Sequence, residues 1–146
     1  MSVSREALVG QLVAVVRQRL LDPLEILLNV EQPADRVRAA AEEWATQLLG
    51  EDRPAAVMCA ARLIAALYPG DRFEPPADWW GTPLGRAVAR QAGYPGVDHV
   101  SYGVAGAMLG VTRQGVHDLA TRGKLARHAD GGVTTESVSN RMRSLE

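Results

Sequence analysis

The chain has 146 residues, which allows one domain or two small ones, and 47% of them are hydrophobic, enough for a packed core. No run approaches the roughly 20 uncharged apolar residues of a membrane span, and the N-terminus lacks the basic start of a secretory signal. The single cysteine, Cys59, excludes an internal disulfide framework and a cysteine-rich metal site. We therefore expect a cytoplasmic protein that does not contact a membrane.

The formal net charge is −1, but the charges are unevenly distributed. Residues 1–80 contain 8 basic and 12 acidic residues (−4), whereas residues 81–146 contain 8 basic and 5 acidic residues (+3). All three histidines, His99, His117 and His128, lie in the second part. A chain with an acidic half and a basic half can hold DNA with one end and another partner with the other.

Residues 1–70 have the pattern of a small helical bundle, with four helices and no strand signal. The start signals are caps or prolines at Ser4, at Asp22 with Pro23, at Pro33, and at Asp52 with Pro54. The residues expected to face inward are Leu8, Leu12, Val15 and Val16 in the first helix (about 5–20), Leu24, Leu27 and Leu28 in the second, Val37, Ala40, Ala41, Trp44 and Leu48 in the third, and Val57, Met58, Ala61, Ile64, Ala65 and Tyr68 in the fourth. A first helix this apolar is expected to be mostly buried, either in its own core or against another subunit, and we expect residues 1–70 to serve dimerisation or partner binding.

Residues 71–96 predict a connection followed by a supporting helix. Two prolines and the absence of periodicity mark the break at residues 71–82. Trp79 and Trp80 within it have two interpretations: a ligand- or partner-docking site, or a structural anchor that fixes the connection onto a domain, which we favour. Thr82 and Pro83 then start a helix that Gly93 ends.

The segment Tyr102 to Leu125 predicts two helices joined by a tight turn. Ala105, Met108 and Leu109 give the first helix an apolar stripe, and Gly110 ends it. In the turn Val111 is expected to plug the joint between the helices, and Thr112 to cap the second helix. The inward residues of the second helix are expected to be Val116, Leu119 and Ala120. A small residue, Gly106, stands where the two helices are expected to approach closely.

After Gly123 the sequence predicts a hairpin and a last helix. Asp130-Gly131-Gly132 separates two short runs that can form strands. The final stretch, ESVSNRMRSLE, follows the candidate cap Thr135 and carries Val138, Met142 and Leu145 on one face. The order helix, turn, helix, hairpin, helix is more specific than a helix pair alone.

This run resembles the winged helix-turn-helix of MerR-type regulators and of the related excisionase-like domains. Their motif reads A-x-x-L-G-V-T-R-Q-x-V-x-x-L-x-x-x-G-x-L, and this chain has AGAMLGVTRQGVHDLATRGKL, one residue longer before the glycine turn. The resemblance covers about residues 97–146. It implies a DNA-binding domain whose recognition helix, at about 113–122, enters the major groove and is followed by a hairpin wing. The fold class predicted is mainly α: an N-terminal helical bundle, then a small winged helix-turn-helix with a short β-hairpin wing.

The sequence therefore predicts a sequence-specific binder of double-stranded DNA that regulates transcription, a homodimer through residues 1–70. We expect Arg113, Gln114 and His117 to read bases, Thr112, Thr121 and Arg122 to contact phosphates, and Lys124, Arg127 and His128 to lie on the wing. Two alternatives stay open: an adaptor that uses this fold to dock proteins, and an excisionase-like architectural factor in recombination.

We expect neither an enzyme nor a cofactor. The sequence has no specific Ser-His-Asp spacing, no Walker-type phosphate loop and no Cys-x-x-Cys pair. Glu42 and Glu43 are adjacent on a helix and so diverge, and Cys59 lies in an apolar run typical of a core residue. His117 and His128 alone would make an incomplete metal site.

Overall fold

The computed structural model describes residues 3–29 and 34–145. Its fold is mainly α-helical, with a two-stranded antiparallel sheet near the C-terminus. The chain divides into two compact units, Ser4–Phe73 and Glu74–Glu146. Within the described ranges, no helix combines the length and the apolar character that crossing a bilayer requires.

The first unit consists of four α-helices in the part of the chain that the structure describes. These are α1 (Arg5–Val16), α2 (Asp22–Leu28), α3 (Ala34–Leu48) and α4 (Arg53–Leu67). Helix α1 packs against α3, and α3 packs against α4. Arg5 ties α1 to α3, because its guanidinium donates to the Glu42 carbonyl (2.9 Å) and to the Thr46 hydroxyl (2.7 Å). The predicted helix start at Pro33 lies outside the described residues.

The first two predicted helices are continuous rather than separate. A π-helical turn, Arg17–Leu21, joins α1 to α2, and the backbone N–H of Asp22 donates to the Arg17 carbonyl. The predicted break at Asp22 is therefore wrong. Pro23 has no N–H to donate and needs room for its ring, and a π turn meets both needs without ending the helix.

The buried face of α4 differs from the predicted one. Its buried residues are Ala56, Cys59, Ala60, Leu63 and Leu67. The predicted stripe instead lies toward the surface, with Met58 63% exposed and Ala61 and Ala65 exposed. Because α4 is apolar nearly all round, its periodicity does not identify the core face; the packing against α3 does.

The second unit surrounds its sheet with short helices. In chain order these are a 3₁₀ turn (Ala77–Gly81), α5 (Pro83–Ala92), β1 (His99–Val100), α6 (Tyr102–Leu109), α7 (Arg113–Thr121), β2 (Val133–Thr134) and α8 (Thr135–Ser144). Helix α5 packs against α8, and α6 packs against both α7 and the 3₁₀ turn. The supporting helix predicted at Thr82 is thus part of this compact unit.

Trp80 is the largest fully buried side chain in the second unit. Its ring packs against Tyr94, with ring centroids 4.6 Å apart, and edge-on against Trp79 at 4.9 Å. Aromatic pairs at such separations stabilise a core beyond the area that they bury. The structural interpretation of the tryptophan pair therefore holds for Trp80, while Trp79 stays partly exposed.

Helices α6 and α7 are joined by a tight turn at Gly110, Val111 and Thr112. Gly110 has a φ of 73°, which glycine adopts at no steric cost, and the Val111 N–H closes the turn on the Gly106 carbonyl at 2.9 Å. Val111 is 41% exposed, so the expected plug is wrong. Gly106 itself faces the turn: a Cβ there would lie 2.6 Å from the Val111 carbonyl oxygen.

The two strands of the sheet come from segments before and after α6 and α7 in the chain. His99 is opposite Thr134 and Val100 is opposite Val133. On its other edge, β2 faces the predicted hairpin partner, where Arg127 forms a bridge with Val133 and the Thr134 N–H donates to the Ala126 carbonyl at 2.9 Å. The strand at His99–Val100 was not predicted, because two residues are too short for an alternating pattern to be visible.

We predict that Gly106→Ala destabilises the protein by about 1–3 kcal/mol, because the new methyl group would overlap turn backbone. Urea unfolding of the full chain, followed by circular dichroism, measures the change. Gly10→Ala in α1 is the control: its Cβ would meet none of the described atoms within 4 Å, so we expect a gain of about 0.5–1 kcal/mol. An unchanged unfolding midpoint for Gly106→Ala would contradict the close approach.

Candidate nucleic-acid interface

Helix α7 presents a polar face to solvent and an apolar face to the core. Thr112 caps its start, since its hydroxyl accepts from the Gly115 N–H at 3.0 Å. Val116, Leu119 and Ala120 are buried, as the apolar pattern predicts. The exposed residues of this segment are Thr112, Arg113, Gln114, His117, Asp118, Thr121 and Arg122. The polar residues predicted to contact DNA from this helix therefore share one accessible surface.

The N-terminal end of this surface brings together Arg113 and α6. The Arg113 guanidinium lies over Gly103, where a Cβ would be 3.0 Å from Nη2. On the next residue, the Gln114 amide donates to the Asp118 carboxylate at 3.1 Å. This i, i+4 bond between exposed side chains contributes only about 0.2–0.5 kcal/mol, so a better partner can replace it.

The C-terminal end of the surface centres on Tyr102, which the sequence analysis missed. The Tyr102 ring lies 6.1 Å from the His117 ring, and its hydroxyl accepts from Arg127 Nε at 3.4 Å. Arg127 also donates to the Thr121 hydroxyl at 3.1 Å. Arg127 thus lies against the end of α7 instead of extending along a wing. Tyr102 begins α6 directly after the cap Ser101, a position that carries no signal for contact with α7.

Two more predicted residues lie beyond the end of α7. Gly123, with a φ of 73°, lets the chain turn back, and the Lys124 N–H donates to the Leu119 carbonyl at 2.8 Å. Arg122 and Lys124 are both exposed here. Together with Arg113 and Arg127, they bring four cations to the surface around α7, and Asp118 adds one carboxylate. Such a surface can attract a polyanion.

His128 is the predicted site residue that lies apart from this surface. It is half-buried and stacks on His99, with ring centroids 4.2 Å apart and planes at 18°. Asp98 accepts from both rings, at 2.8 Å from His99 Nδ1 and 3.3 Å from His128 Nε2. These two hydrogen bonds, of which the one from His99 contributes more, hold the pKa of the Asp98 carboxyl below its usual range.

The first unit contains an apolar groove of about 270 Å³. Val16, Leu20, Trp44, Cys59 and Leu63 contribute to its lining. Burial raises the pKa of the Cys59 thiol, which keeps it protonated and makes it a poor nucleophile. Cys59 is therefore a buried core residue, as its apolar surroundings in the sequence indicate.

Comparison of the chain with models of known protein families, with curated proteins and with solved structures finds no match.

Proposed function

We propose that the second unit is a winged helix-turn-helix domain that binds double-stranded DNA in a sequence-specific manner, and that the protein regulates transcription. The observation that carries the proposal is the exposed polar face of α7, which follows the tight turn at Gly110. A capped helix of nine residues with a cationic face is suited to the major groove of B-DNA. The resemblance of residues 97–146 to MerR-type and excisionase-like domains also supports it.

The chemistry of the exposed residues supports a division of roles. Arg113 and Gln114, at the N-terminal end of α7, can each form two parallel hydrogen bonds to a base edge, arginine to guanine and glutamine to adenine. His117 lies one turn further on the same face. Thr112, Thr121 and Arg122 flank this face, where phosphates follow the groove. Lys124 and Arg127 extend the cationic surface beyond the helix, whereas His128 takes no part in it.

One residue opposes DNA binding. Asp118 lies on the exposed face of α7, and its carboxylate would be repelled by phosphates. It also accepts a hydrogen bond from the Gln114 amide at 3.1 Å. In the proposed complex, Gln114 exchanges this weak bond for a base, and Asp118 limits binding to unselected DNA.

We predict that Arg113→Ala and Arg127→Ala weaken DNA binding in different ways. Arg113→Ala is expected to remove a bidentate base contact, which costs about 1–3 kcal/mol on the preferred site and relaxes selectivity at one position. Arg127→Ala is expected to remove a phosphate contact, which weakens binding to all sequences alike and lowers the slope of log affinity against log salt concentration by about one unit. The preferred site is first selected from random duplexes, and binding to that site and to random DNA is then titrated at several salt concentrations.

The same titration separates the proposal from its alternatives. A DNA-binding protein loses affinity steeply with salt because counterions are released from phosphates, while an adaptor binds no DNA at any salt concentration. If Arg127→Ala removes the specificity and Arg113→Ala leaves it intact, then α7 does not read the bases as proposed. An architectural factor would bind DNA but bend it, which electrophoresis of permuted sites detects.

We predict that Asp118→Asn strengthens binding to DNA of any sequence by up to about fivefold, or about 1 kcal/mol, because it removes a negative charge that faces phosphates. The control is Asp35→Asn, which makes the same change of net charge on an exposed residue of α3 in the other unit. Fluorescence anisotropy on a labelled duplex measures both variants. Equal effects of the two substitutions would mean that net charge, and not the face of α7, determines affinity.

We further propose that the protein is a homodimer through the helices of the first unit. None of the seven residues of α2 is buried, and Ile26 and Leu27 are 82% and 78% exposed. Apolar residues this exposed and adjacent are typical of an interface. A second copy is the favoured occupant because two-fold symmetric binders match paired half-sites on DNA. A partner protein at this face is the alternative.

We predict that the double substitution Ile26→Asp with Leu27→Asp converts the dimer to a monomer, because it introduces unpaired charges into the apolar interface. Sedimentation equilibrium at micromolar concentration measures the mass. Met58→Asp is the control, since it places one aspartate on an exposed apolar residue of α4. A wild-type protein that sediments as a monomer with and without DNA would contradict the proposal, and a monomeric Met58→Asp variant would move the interface to α4.

A further inference from the structure

The two stacked histidines and the carboxylate between them form a cluster apart from the surface of α7. We define this histidine–aspartate cluster as Asp98, His99 and His128. One candidate ligand atom from each residue lies within 4.8 Å of the other two. Asp98 is exposed and both imidazoles are partly exposed, so an ion from solvent can reach the cluster. The residues come from segments about 30 positions apart, which is why spacing in the sequence did not identify them.

The backbone around the cluster is held in place by several hydrogen bonds. Pairing of β1 with β2 fixes His99, and the Thr135 N–H donates to the Asp98 carbonyl at 3.0 Å. On the other side, the His128 N–H donates to the Gly132 carbonyl at 3.1 Å. The three side chains therefore start from a defined geometry, which reduces the ordering that a ligand has to impose.

We propose that this cluster binds a divalent first-row transition metal ion of the Zn²⁺, Co²⁺ or Ni²⁺ type. The ligands are His99 Nδ1, His128 Nε2 and one carboxylate oxygen of Asp98, with water in the remaining positions. Two imidazole nitrogens and one carboxylate suit these ions, whereas Mg²⁺ and Ca²⁺ prefer oxygen alone. Ligand atoms around tetrahedral Zn²⁺ are about 3.3 Å apart, so side-chain rotations have to close the widest gap by roughly 1–2 Å.

Metal binding changes the proton positions on His128 in a defined way. The Asp130 N–H donates to His128 Nδ1 at 3.0 Å, so in the neutral ring the proton is on Nε2 and points at Asp98. The metal replaces that proton at Nε2, and a neutral ring then carries its proton on Nδ1. The Asp130 N–H then loses its acceptor. The new Nδ1–H of His128 faces the Asp130 carboxylate, which lies 3.9 Å from Nδ1 in this structure. Metal binding is thus coupled to the turn at residues 128–131.

Calorimetric titration of the full chain with Zn²⁺ tests the site, and it needs no DNA. We expect one ion per chain and an affinity that falls as the pH is lowered, because protons compete for the same nitrogens. His99→Gln and His128→Gln are each expected to lower the affinity about tenfold or more. His117→Gln is the matched control, since His117 is the only histidine outside the cluster, and it is expected to bind like the wild type. Failure of this test leaves the proposed DNA binding unaffected.

A second measurement locates the ion without any substitution. Co²⁺ is paramagnetic and is expected to broaden the amide resonances of residues 98, 99 and 128 before those of α7, and Zn²⁺ to speed amide exchange at Asp130. Absence of Zn²⁺ binding to the wild type would overturn the proposal. So would broadening centred on His117, an equal loss of affinity in His117→Gln, or undiminished affinity in both cluster variants.

Discussion

The close approach of α6 to the turn that follows it is the constraint on which the second unit depends. Gly106 lies so near the Val111 carbonyl that only a residue without a side chain fits there. That approach fixes the direction in which the chain leaves Gly110, and so the direction of α7. Burial of Val116 and Leu119 then determines which residues of α7 remain outside. The orientation of the candidate DNA-binding face is therefore a consequence of how the backbone of α6 packs against the turn before α7.

The two units use apolar residues in different ways. In the second unit, Trp80 fills the core and the 3₁₀ turn that carries it packs against α6. In the first unit, α1 and α4 are apolar on more faces than their neighbours cover, and α2 buries none of its residues. An excess of apolar surface is unfavourable in an isolated monomer, which is the physical reason to propose that a second copy covers it.

The surface of α7 and the histidine–aspartate cluster are neighbours in sequence but distinct in chemistry. Arg127 turns toward Thr121 and Tyr102, while the adjacent His128 turns toward His99 and Asp98. Successive residues of an extended segment point to opposite sides, so the two belong to different sites. The hairpin segment therefore connects a cationic surface suited to phosphates with a cluster suited to a metal ion.

Local signals in the sequence determined much of the second unit. Thr112 as a cap, Gly110 as a helix end and the buried stripe of α7 follow from hydrogen-bonding groups and periodicity within a few residues. Only the tertiary structure decided the π turn before Pro23, the buried face of α4 and the exposure of Val111. It also decided that His128 joins Asp98 and His99, and that Tyr102 meets Arg127. These outcomes depend on segments distant in sequence, and a helix that is apolar on every side, or a strand of two residues, carries no local pattern that selects its partner.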